Sequence, residues 1–122
     1  MDDTIQSNNA MKFLPSLANV KRLKYDEICV HFSFSIKIKP KSCPSVVWSW
    51  YVLAGDKRAD GDWNFWGLVI KNQTDFEEFR LKELQGIAES WNSELLLDAD
   101  LKFTPLCKVM EKLGLKWHNS DE

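Results

Sequence analysis

The alternation across residues 28–38 constrains this chain more than any other feature. Ile28, Val30, Phe32, Phe34, Ile36 and Ile38 fall on one side of an extended chain, and Cys29, His31, Ser33, Ser35 and Lys37 on the other. Successive side chains of a strand point to opposite faces, so a period of two held this long predicts a strand with one buried and one wetter face. Pro40 and Pro44 end it, because proline cannot donate to a ladder.

The next two runs read the same way. Across residues 46–53, Val46, Trp48, Trp50 and Val52 oppose Val47, Ser49, Tyr51 and Leu53; beyond residue 62, Trp63, Phe65, Gly67 and Val69 oppose Asn64, Trp66, Leu68 and Ile70. The polar, glycine-bearing AGDKRADGD between them predicts a long hairpin connection, and KNQT at 71–74 predicts a turn into a shorter fourth strand over 76–80. Leu81, Leu84, Ile87 and Ala88 recur at helical spacing, predicting a helix over 81–91 that Gly86 weakens. Thr104 and Pro105 read as the N-cap and first position of a last helix, with Leu106, Val109, Met110 and Leu113 as its stripe and Gly114 as its stop. KFLPSLANV, interrupted by Pro15, predicts one turn laid across a sheet edge. The expected fold is α+β: an antiparallel meander of about four strands covered on one face by one or two short helices. Residues 11–117 form a single domain in this reading, with 1–10 and 118–122 as flexible tails.

A chain of 122 residues with 44% hydrophobic and 28% charged residues can build a core without metal or disulfide, which argues against global disorder. The net charge of -2 is too small to drive nucleic-acid binding by field alone, and far from the charge density of a DNA mimic. It is unevenly spread, with a balance of +5 over residues 11–50 and -5 over residues 72–104. Cys29, Cys43 and Cys107 make no metal-spaced pair and suit a reducing compartment; the absence of a secretion signal or a membrane-length apolar run points to the cytoplasm.

No catalytic constellation emerges. His31 and His118 lack HExxH or cysteine-pair partners, so no metal or other cofactor is expected. Cys29 and His31 share a strand face, but a structural thiol beside a surface imidazole is the commoner arrangement. Asp60 and Asp62 sit in a loop and suit turn formation better than acid–base work. Asp100, flanked by apolar residues, could cap a backbone or pair with a base such as Lys37. An enzyme would have to be assembled from Asp100, His31 and Tyr51. The aromatics pose the sharper question. Burying a tryptophan removes about 150–250 Å² from water, about 4–6 kcal/mol before entropy costs, so the core is the favoured place for them. A stacking platform for single-stranded nucleic acid would instead use Trp48, Trp50 and Trp66 with Lys37, Lys39 and Lys41.

The order LPSL, WSWYV, DWNFWGLVI, FRLKEL and DADLKFTPL resembles a small uncharacterised family carried by bacterial plasmids, integrative elements and phage-like islands. Its pattern is W-x-W-Y-V, F-x-G-x-V, F-x-L-x-E-L and D-x-x-F-x-P. This chain departs from it at Glu77 and Glu78, where the family has Gly-Tyr, and at Leu53 and Ala54, where it tends to have an acid. The resemblance implies a contest between a mobile element and its host and no assigned activity. The leading expectation is a non-enzymatic accessory protein that binds a host or element-encoded protein and thereby inhibits a defence component. Glu77, Glu78, Glu83, Asp98 and Asp100 are the candidate partner-binding residues. The alternatives are the single-stranded nucleic-acid binder and a small enzyme; a homodimer through a sheet edge is a further expectation.

Overall fold

The computed structural model describes residue 11 and residues 14–24, 27–41 and 44–115. The two expected tails and Cys43 lie outside the described residues. The elements run α1 (Leu17–Val20), β1 (Cys29–Val30), β2 (Phe32–Ile38), β3 (Val46–Lys57), β4 (Trp63–Ile70), β5 (Thr74–Arg80), α2 (Leu81–Ser90), β6 (Leu95–Asp98), β7 (Thr104–Pro105) and α3 (Leu106–Lys112). The fold is α+β.

The meander β2–β3–β4–β5 is antiparallel throughout, with Phe34 opposite Trp50 and Trp50 opposite Val69. The expected count of about four strands falls short by one. After β5 the chain crosses the sheet as α2 and returns as β6 beside β2, so the order is β5-β4-β3-β2-β6. LLLD carries no polar alternation, so nothing in its own pattern marks it as a strand.

The long first run is divided at His31. Cys29 and Val30 leave the main sheet to pair with Pro105 and Thr104 of β7, while Phe32 to Ile38 stay in it. Thr104 and Pro105 are therefore bridge residues rather than an N-cap and first turn. Pro105 occupies the N-cap position, and the Leu106 amide donates to the Ile28 carbonyl at 2.9 Å. β3 extends past residue 53 because a bulge between Val52 and Ala54 lets it resume pairing with β4, which shortens the hairpin loop to residues 58–62. Gly67 faces that bulge, where a Cβ would overlap the Tyr51 carbonyl oxygen.

Helices cover both faces of the sheet, a second correction to the expected one-sided layer. On the first face Leu81, Leu84 and Ala88 of α2 pack on Phe32, Phe34, Ile36, Trp50, Phe65 and Phe79. On the second, Leu106, Val109 and Met110 of α3 pack with Val30 on Leu53 and Leu68. α1 sets Leu17 and Val20 against Ala54 and Trp66, so the N-terminal turn lies on this face rather than across an edge. Strand parity holds for the tryptophans: Trp48, Trp50 and Trp63 join the first core, and Trp66 the second.

The β3–β4 hairpin also finishes a helix. Arg80, at the N-cap of α2, has no side-chain acceptor to offer. The buried Asp62 carboxylate supplies one, its Oδ1 accepting from the Lys82 amide at 3.1 Å and from the Trp63 amide at 2.8 Å, while Glu83 Oε1 accepts from the Arg80 amide at 3.3 Å. Asp60 shapes the same tip, accepting from the Asp62 amide at 3.0 Å and meeting Arg58 at 3.4 Å. Asp60 has the turn-forming role expected of the pair, whereas the Asp62 side chain serves the start of α2 instead.

Candidate functional site

α1, α3 and β1 cover the part of the second face built by Leu53, Ala54, Trp66 and Leu68, and Tyr51 and Ile70 pack at its border. The remaining part is set by register. One row across the sheet reads Asp98, Ser33, Tyr51; the next reads Leu96, Ser35, Ser49, Ile70; a third begins with Lys37 and Val47. Directly opposed residues on one face have Cβ atoms about 4.5–5.5 Å apart, so each row is a line of neighbouring side chains.

This strip combines partial burial with hydrogen-bonding groups. Ser33 is 9% exposed and Ser35 half-buried, yet neither hydroxyl has a hydrogen-bond partner among the described residues. Neither oxygen is fully withdrawn from water, so each can exchange a water for a ligand group. Tyr51 is half-buried and its phenol is held above the usual range by burial; a hydrogen bond with Ser49 acts against this and the nearby Asp98 charge adds to it. Burial likewise pushes the His31 imidazole below its ordinary value. At neutral pH the strip therefore offers a protonated phenol and serine hydroxyls, with the neutral His31 imidazole beyond it against Phe103. Asp98 Oδ1 accepts from the Asp100 amide at 2.8 Å, which fixes the bend after β6. That capping role, expected of Asp100, belongs to Asp98.

Apolar groups edge the strip. Leu96 is 55% and Val47 57% exposed. Phe103, also half exposed, meets His31 edge-on with ring centroids 5.3 Å apart, and Lys102 Nζ lies 5.6 Å from its ring centre. Its φ of 56° is a conformation that a bulky side chain rarely adopts, and residues held there gather at ligand-facing positions.

The expected site residues are distributed differently. Glu77 and Glu78 lie on β5 with side chains on opposite faces, opposite Gly67 and Trp66, and Glu78 is engaged by Lys21 at 3.6 Å and by the Asn64 amide at 3.2 Å. Glu83 belongs to the first turn of α2, whereas Asp98 and Asp100 lie at the far edge of the sheet. The five carboxylates thus divide among β5, the first turn of α2 and the β6 end of the sheet. The nucleic-acid set is divided more severely. Trp50, 2% exposed beneath α2, cannot stack on a base. Trp48 is partly buried on that same face with Lys71 5.9 Å from its ring centre, and Trp66 on the other face stacks on Phe76 at 5.6 Å. Lys37 closes the second face, and Lys39 and Lys41 follow β2 in exposed chain. No common platform joins these residues.

Of the enzyme set, Tyr51 lies on the strip with Asp98, not Asp100, as the carboxylate whose charge reaches it, while His31 stands where β1 leaves the sheet and meets Phe103. The participants missed in the sequence are Ser33, Ser35, Ser49, Leu96 and Phe103. For the serines a signal existed, since they occupy the wetter parity of their strands. Among the described residues no three His, Cys, Asp or Glu side chains gather as a metal site would require, and no helix is long and apolar enough to cross a membrane. Comparison with known proteins found no matching family model, no similar curated protein and no similar solved structure.

Proposed function

We propose that the protein is a non-enzymatic binding module that holds a partner protein against the open part of its second sheet face. The observation that carries this reading is the combination of exposed Leu96 and Val47 with the Ser33, Ser35 and Tyr51 hydroxyls on one strip. Interface centres join apolar contact to hydrogen-bonding groups in this way, whereas a reaction site needs a nucleophile or a pair of acids in contrasting surroundings. In this proposal the setting is the one the motifs resemble: a cytoplasmic accessory protein of a mobile genetic element, acting on a host or element-encoded protein and inhibiting a defence component.

Crosslinked pull-downs from host lysate test it quantitatively. Recovery of a specific partner is expected to fall sharply with Leu96→Asp and to persist with Glu77→Lys and Glu78→Lys combined. Equal recovery by wild type and Leu96→Asp defeats the reading.

A further inference from the structure

We infer that the segment this face takes is an extended basic strand that adds to the outer edge of β6, a mode that rests on the binding reading above. The two edges of the sheet are not alike. β5 is seven residues long, carries Asp75, Glu77 and Glu78, and has the Lys21–Glu78 ion pair against it. Charged side chains along a strand are the usual means of keeping an edge from pairing. β6 presents three consecutive leucines, one of them the exposed Leu96, and no strand among the described residues pairs with its outer side. An edge with an exposed leucine and no strand on its outer side is a template for strand addition, in which main-chain bonds supply affinity and alternate side chains supply selectivity.

Charge decides the occupant. Residues 93–100 hold Glu94, Asp98 and Asp100 and no base. A second copy pairing β6 to β6 would set these acids against each other, and β6 on β5 would set them against Asp75, Glu77 and Glu78. A foreign strand carrying Lys or Arg meets the opposite sign. The register also says where its side chains go. A strand beside β6 continues the rows, so one residue lies next to Leu96 and the one two positions away next to Asp98. An apolar residue covers Leu96. A long cationic side chain beside Asp98 pairs with that carboxylate and leans inward toward the Ser33 hydroxyl in the same row.

The test uses the full chain, isotopically labelled, and a soluble short peptide alternating Lys and Val, with the Glu–Val peptide as control. Amide shifts are expected at Leu95, Leu96, Leu97 and Asp98 with the basic peptide and not with the acidic one. Combined Glu94→Lys and Asp98→Lys, both at exposed positions, should weaken binding about tenfold or more. Ser33→Ala, with unchanged thermal stability, should weaken it by a smaller factor. Shifts confined to β5, binding that ignores the charge reversals, or no shift at low salt overturns strand addition at β6; so does a dimer in sedimentation that Asp98→Lys leaves intact. None of these outcomes touches the lysate experiment, where loss of discrimination by Leu96→Asp defeats the binding reading itself.

Discussion

Three single residues carry more of this fold than their chemistry suggests. Asp62 caps α2 from another element, so Asp62→Ala removes a buried acceptor from two amides at once. The expected cost is about 1–3 kcal/mol, read as a lower urea midpoint with an unchanged slope. Gly67 has no room for a side chain against the Tyr51 carbonyl, and Gly67→Ala should lower the melting temperature more than any other glycine-to-alanine change in the sheet. His31 gives a pH signature. Its folded pKa lies below the ordinary 6.5, so the unfolded chain takes up the proton first. Its contribution to stability is complete above that value and is lost as pH falls through 6.5 toward the folded pKa. Urea titrations should lose this slope in His31→Gln. Asp60, held below its ordinary 3.8 first by the Asp62 amide and then by Arg58, acts in a lower window, with stability lost as pH falls below that value.

At the scale of elements, α2 is a helix with one avoidable weakness. Gly86 sits mid-helix on the solvent side with open space around its Cα, so Gly86→Ala should stabilise the protein by about 0.5–1 kcal/mol, measured by thermal or urea unfolding. Which elements could be read in the sequence follows from where their information lies. β2, β3 and β4 announce themselves by alternation because each buries one face more than the other. β6 does not, since its leucines face both sides and its identity as a strand depends on β2, some 60 residues earlier. The bulge at Val52–Ala54 likewise hides in a run of small and apolar residues, which is why β3 looked shorter than it is. The serine strip was legible as the wet side of β2. Its association with Asp98 and Leu96 was not, because that association is made by the return of the chain after α2. Helix stripes at 81–88 and 106–113 were clear, but a stripe says that a face is buried and not on which side of the sheet.

For the molecule as a whole, the two acidic edges and the shared second face imply that binding responds to ionic strength. If the basic-strand mode holds, affinity for the Lys–Val peptide should fall steadily between low and physiological salt, as isothermal titration would show, because exposed charge pairs are screened beyond about 8–10 Å. The position of β6 has a different consequence, for the order in which the protein can be made. β2 is synthesised early and can join β3, β4 and β5 by local hairpins. Its other side stays unpaired until residues 95–98 follow, and the apolar face bearing Phe34, Trp50 and Phe65 stays bare until α2 is complete. A chain emerging from the ribosome therefore passes through a stage in which a nearly finished sheet shows its aromatic side to the surroundings. Synthesis that stalls between β5 and β6 would leave this protein at its most aggregation-prone, and a chaperone that recognises exposed aromatics would find its target there.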